Sequence, residues 1–273
     1  MEHAMTEREG ERIAKRLARA GVASRRDAEA MILAGRVAVN GKVIESPALN
    51  VTARDAILVD GRPLPEAEAA RLWRYHKPAG LVTTARDEKG RPTVFDRLPE
   101  DMPRVLSIGR LDLASEGLLL LTNDGALKRR LELPSTGWIR KYRVRARGTP
   151  LDTDLEPLRK GIVVDGERFQ PMTVRLDRQQ GANAWLTVGL REGRNREIRR
   201  ALETVGLEVN RLIRLSYGPF QLGDLPSGAV EEVKARILQE QLGATGPAAE
   251  VRAPAKPSRL RTAVRRGQGD RKT

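Results

Sequence analysis

The chain has 273 residues, with 50 Lys+Arg against 36 Asp+Glu, a net charge of +14 and a sequence pI near 10.7. It holds no cysteine and two histidines, His3 and His76, which excludes disulfide frameworks, thiolate zinc sites and cysteine nucleophiles and argues against a histidine-built metal centre or triad. A cationic excess of this size implies a polyanionic partner, nucleic acid being the commonest inside a cell. No run approaches the roughly 18 to 20 apolar residues of a membrane span, and the opening MEHAMTEREGER is polar and charged, so a cytoplasmic protein without membrane association is expected.

Residues 1–10 and 243–273 lack periodicity and read as unstructured. The second segment carries eight Arg or Lys against Glu250 and Asp270, and is either a solvated tail or an arm that grips RNA non-specifically. Residues 11–64 form a compact unit. Ile13, Leu17 and Ala20 share one face of a first helix that Gly21 can stop, and Ser24 with Asp27 three residues on has the spacing of a capping box opening a second. The apolar side of that helix is Ala28, Met31, Ile32 and Leu33. VAV, Asn40-Gly41 and KVI then spell a tight hairpin, followed by a strand at 56–60.

RLARAGVASRRDAEAMILAGRVAVNGKVI resembles the alpha-L RNA-binding domain. The resemblance implies that Arg16, Arg19, Arg25, Arg26 and Lys42 face RNA phosphates.

An Ala- and Glu-rich linker, 65–71, leads to a larger unit over 72–242. Apolar strands are expected at 72–76, 105–108, 117–122, 142–146, 173–176, 185–190 and 212–217, and helices at 126–131 and 195–205. Strands and helices do not alternate steadily, so the fold expected is α+β: the small N-terminal RNA-binding domain followed by a mixed, mostly antiparallel-sheet domain. Within it, IGRLDLASEGLLLLTNDG sets Arg110, Asp112, Ser115 and Glu116 in a polar loop between apolar strands, with Gly109 and Gly117 permitting sharp turns. Taken alone, Asp112 could simply cap its loop, with Arg110 as its ion-pair partner.

GRLDLASEGLLLLTNDG closely resembles the catalytic motif of the RsuA/RluB-type pseudouridine synthases. YHKPAG before it, and RKYRV, LREGRNREIRR and RLIRLSYGPF after it, follow in the family's order. The resemblance extends over about residues 11–235 and implies an isomerase that detaches uracil from its ribose, turns it and rejoins it through carbon. It makes Asp112 the catalytic carboxylate, acting as nucleophile or as base. It gives Arg194 as the cation beside it, with Arg110 as a rival, Tyr142 as the stacking platform and Ile213 as the apolar residue packing on the base. Read from the residues themselves, Arg196, Arg199 and Arg200 either solvate a helix face or, with Arg194 and Arg110, line the RNA path to the site, while Lys77 and Pro78 would be structural or touch phosphate. No cofactor or metal is expected, because the reaction is redox-neutral. The expected partner is ribosomal RNA, 23S preferred over 16S, or a pre-ribosomal particle, bound by a monomer. A competing reading is a non-catalytic RNA-binding ribosome-assembly factor.

Overall fold

A computed structural model describes residues 10–133 and 136–242; the segments read as unstructured, apart from Gly10, lie outside the described residues. The N-terminal unit runs β1 (Glu11–Arg12), α1 (Ile13–Arg19), α2 (Arg25–Leu33), β2 (Val37–Val39), β3 (Lys42–Val43), β4 (Asn50–Val51), β5 (Ile57–Val59) and β6 (Arg62–Pro63). The Ser24 hydroxyl accepts from the Asp27 amide at 3.0 Å and donates to its carboxylate at 2.6 Å, closing the start of α2. Asn40 and Gly41 both take positive φ, 51° and 79°, the geometry a two-residue hairpin turn requires. Ile13, Leu17, Ala28, Ile32 and Val37 pack between the helices and the β3-β2-β5-β6 sheet. Leu33 does not join them: at the end of α2 it is 69% exposed, because the chain turns at Gly35 before that face can be covered.

The larger unit comprises β7 (Leu72–Lys77), β8 (Leu106–Ile108), β9 (Ser115–Thr122), α3 (Gly125–Glu132), β10 (Arg140–Arg147), α4 (Glu156–Lys160), β11 (Val163–Val164), β12 (Glu167–Arg168), β13 (Thr173–Gln180), β14 (Asn183–Leu190), α5 (Glu197–Glu203), β15 (Glu208–Tyr217), β16 (Phe220–Gln221), β17 (Val230–Glu232) and α6 (Ala235–Leu242). One sheet, in the order β13-β14-β10-β15-β9-β7-β17, organises it; β16 pairs with β15 and β8 with β9. Its pairings are antiparallel except for β15 beside β9.

Burial explains the sequence of each strand. Leu118 to Leu121 are all buried because β9 is covered on both faces, so it reads as a continuous apolar run. β10 alternates instead: Tyr142, Val144 and Ala146 point into a core shared with Leu186, Val188, Leu158, Ile198 and Leu202, while Lys141, Arg143, Arg145 and Arg147 face outward. A second core, on the opposite side at the β7–β9 end, joins Leu72, Leu118 and Leu120 to Leu127 and Leu131 of α3 and Leu238 of α6. No helix among the described residues is long and apolar enough to cross a membrane.

Candidate active site

A cleft of about 1510 Å³ opens over the Tyr142 face of the sheet, larger than the roughly 300–1,000 Å³ of ordinary small-ligand sites and open enough for a polymer. Asp112 and Tyr142 both line it, with Leu111, Leu190, Leu212 and Arg214. Asp112 sits in the turn between β8 and β9, where its carbonyl accepts from the Ser115 amide at 3.0 Å. Several ties hold that turn. Lys77, fully buried at the end of β7, donates to the Ser115 carbonyl at 2.8 Å and the Pro78 carbonyl at 3.0 Å. Thr83 Oγ1 donates to the Leu111 carbonyl at 2.8 Å, and the Gly80 amide to the Leu113 carbonyl at 2.8 Å. Burial pulls the Lys77 pKa down to about 8, partly offset by the carboxylates of Asp112 and Glu116. Gly117 takes φ +100° in β9, and a Cβ there would collide with the Arg214 backbone of parallel β15, so glycine is required where the two strands meet.

Tyr142 stands opposite Arg214 in the β10–β15 register and opposite Val188 in β14, which sets the three side chains on one face. Arg214 is 2% exposed; its Nε donates to the Leu118 carbonyl at 2.7 Å, its guanidinium lies 5.4 Å from the Tyr217 ring centroid, and its Nη2 is buried without a partner. A buried donor left unpaired is rare, and Arg214 is one of the residues that line the cleft.

Two expected residues take other positions. Arg194 does not reach Asp112: its side chain bonds Glu167 at 2.5 Å and Glu192 at 2.9 Å and lies over Phe169, tying the loop to β12. The guanidinium whose charge couples to Asp112 is that of Arg199, on α5, which donates to the Ala114 carbonyl at 3.3 Å and the Val209 carbonyl at 2.8 Å. Burial and neighbouring Arg196 pull the Arg199 pKa down, and Asp112 pushes it back up. Ile213 lies on the face opposite Tyr142, packed toward the second core, and Leu212 holds the cleft position beside Arg214. Arg110 is exposed on the cleft wall, and among the described residues no ion pair reaches Asp112.

Arg196 lies exposed in the left-handed region at φ 49°, at the mouth of the cleft. Arg200 is tied to Glu167 at 2.7 Å and Asp165 at 3.2 Å, away from any RNA path through the cleft. Glu197, buried behind this loop, accepts from the Arg194 amide at 2.8 Å; burial, with the Glu192 carboxylate alongside, pushes its pKa up to about 7.

In the N-terminal unit Arg25, Arg26 and Lys42 are exposed, while Arg16 and Arg19 share Glu11 at 3.7 and 3.3 Å. Arg104, which lines the cleft, donates to the Ala23 carbonyl at 2.8 Å, bringing the start of α2 to the cleft rim.

Comparison with known proteins decides the family. The RNA pseudouridylate synthase pattern matches residues 71–204 and the S4 domain pattern residues 11–63. An uncharacterised RNA pseudouridine synthase of Rickettsia felis is 48% identical over 84% of this chain and 100% of its own length. The chain belongs to the RNA pseudouridine synthases. Ribosomal large subunit pseudouridine synthase B of Haemophilus influenzae is 41% identical over 86% of this chain and 69% of its own, and that of Pseudomonas aeruginosa 43% identical over 86% and 63%. A crystal structure of a pseudouridylate synthase, 24% identical, superposes with a TM-score of 0.60 over 84% of this chain and 99% of that one, a likeness of fold. As a pseudouridine synthase the chain is an isomerase with an N-terminal S4 RNA-binding domain.

Proposed function

We propose that this enzyme isomerises a uridine of 23S ribosomal RNA with Asp112 as its catalytic carboxylate. The observation that supports the chemistry is that Asp112 and Tyr142 line one cleft whose loop is fixed by buried Lys77, with the Arg199 guanidinium bonded to the Ala114 carbonyl of that loop. The 23S assignment rests on similarity to the two large-subunit enzymes.

The reaction breaks the N1–C1′ glycosidic bond, rotates the uracil and forms C5–C1′; N1 gains a proton and C5 loses one, with no net change of redox state. An ionised aspartate serves it either by adding to C1′ or by taking a ribose proton. Both routes need a fixed cation nearby, and half-buried, always-charged Arg199 supplies it in place of Arg194. Tyr142 offers its ring to the displaced base, Leu212 packs against it instead of Ile213, and the free Nη2 of Arg214 donates to a uracil or phosphate oxygen. Such a base must first leave its stack, at a cost of a few kcal/mol. Arg25, Arg26 and Lys42, with Arg110 and Arg196 at the cleft, offset it by holding phosphates.

In this reading a unit at 11–64 grips RNA, 65–71 links it, and 72–242 performs the chemistry as a cytoplasmic monomer without a cofactor. Purified protein mixed with 23S or 16S transcripts carrying [5-³H]uridine tests it, because forming the C5–C1′ bond releases tritium. Release from 23S alone is expected; release from 16S alone would overturn the substrate assignment.

A further inference from the structure

The sheet has a second charged surface, facing away from the cleft. Every outward side chain of β10 is a cation, Lys141, Arg143, Arg145 and Arg147, and all four are exposed. At about 6.8 Å between alternate residues, the row extends roughly 20 Å. Arg175 and Arg178 of β13 and Arg211 of β15 flank it, all exposed. Arg145 stands directly opposite Arg211 in the β10–β15 register, a like-charge pairing that disfavours the sheet.

Neutralisation is incomplete. Asp177 holds Arg175 at 2.9 Å and Glu116 holds Arg211 at 2.9 Å, and Glu208 is 3.9 Å from Arg147. Among the described residues no carboxylate lies within ion-pair distance of Lys141, Arg143 or Arg145. Arg143 instead lies 4.6 Å over the half-buried Trp185 ring, which holds its guanidinium in place without neutralising it. A solvated face would gain from mixed signs, whereas this one concentrates a single sign in a straight row on a rigid strand.

We propose that this face binds the sugar–phosphate backbone of a ribosomal RNA segment outside the strand threaded through the cleft. The row would dock the enzyme on a large folded RNA while the opposite side of the same sheet works on the target uridine. Charge complementarity selects the partner, since a linear array of cations, three of them without an ion-pair partner among the described residues, matches the regular charge of a nucleic acid strand. The inference rests on the reading that the substrate is ribosomal RNA.

The test compares full-length wild type with the triple variant Lys141→Gln/Arg143→Gln/Arg145→Gln. A charge-matched control, Lys160→Gln/Lys234→Gln/Arg236→Gln, removes three exposed cations outside the row. Circular dichroism melting establishes that each is folded. Affinity is measured against 23S transcript and against a short oligouridylate over a salt series. The row variant is expected to bind 23S about tenfold or more weakly at 150 mM salt, with the slope of log K against log salt shallower by about 2 to 3. Its affinity for the oligouridylate should stay within twofold, and the control should bind 23S like wild type. Unchanged 23S binding by the row variant, equal loss by the control, or equal loss on the oligouridylate would each overturn the proposal; the first would also be the result if the face docked an acidic protein. Tritium release by wild type is scored separately, so failure of the substrate reading is distinguishable from failure of the docking face.

Discussion

Lys77→Met separates positioning of the Asp112 turn from mere filling of the core. The amine ties the end of β7 to the turn that carries Asp112 through bonds of 2.8 and 3.0 Å. Burial holds its pKa down to about 8 from 10.5, which corresponds to roughly 3 kcal/mol of unfavourable charging. Methionine keeps the volume and removes that cost, but it leaves the buried Ser115 carbonyl and the part-buried Pro78 carbonyl without this donor, at up to about 1–3 kcal/mol each. The opposing contributions leave a net destabilisation of no more than about 3 kcal/mol. Activity should suffer more than stability, because a shift of about 1 Å in a reacting group can cost roughly 100-fold in rate. Urea unfolding and single-turnover tritium release on the same preparation read both quantities. A variant that loses stability yet retains the wild-type turnover rate would refute the positioning role.

Arg199→Gln should lower kcat by about 100-fold or more with a modest change in KM, whereas Arg194→Gln, which loosens the contacts with Glu167, Glu192 and Phe169, should keep kcat within about threefold; steady-state tritium release decides between them. Arg214→Met should weaken substrate binding by about 1–3 kcal/mol, read as Kd for rRNA, because it removes the unpaired donor of a cleft-lining residue. Glu197 gives a pH signature. Its folded pKa of about 7 exceeds the ordinary 4.5, so its stabilising contribution is complete below about pH 4.5 and is lost as pH rises through 7. Glu197→Gln should flatten that fall and stand up to about 3 kcal/mol above wild type at pH 8, measured by urea unfolding across pH.

The parts of the fold legible in the sequence are those fixed by local chemistry. Ser24 caps α2, Asn40-Gly41 makes the hairpin, and the LLLL run is an interior strand buried on both faces, as their types and spacing require. Asp112 and Tyr142 come to one cleft from motifs thirty residues apart in sequence. The misplaced residues depended on register and on where a helix begins. A helix from 195 would carry the arginine side chains in one pattern, but left-handed Arg196 delays α5 to Glu197, turning Arg194 toward β12 and Arg199 toward the Ala114 carbonyl of the Asp112 turn. Likewise β15 has register shifts on both sides of the 211–214 stretch, so the face of Ile213 was fixed by pairing with β10 rather than by its own alternation. Short α4, which holds Pro157, carries too few residues for periodicity to announce it. Arg214 had a legible signal, an arginine two residues from apolar Leu212 on the same strand, but its burial and its place on the cleft side became visible only with that register.

The central claim is that Asp112 performs the isomerisation of a 23S uridine. The most direct measurement maps pseudouridines across ribosomal RNA by carbodiimide modification and primer extension in cells lacking the gene, complemented with wild type or with Asp112→Asn. The account predicts that one 23S site disappears on deletion, returns with wild type and stays absent with the asparagine variant; restoration of the site by Asp112→Asn, or the loss of no site on deletion, would contradict it.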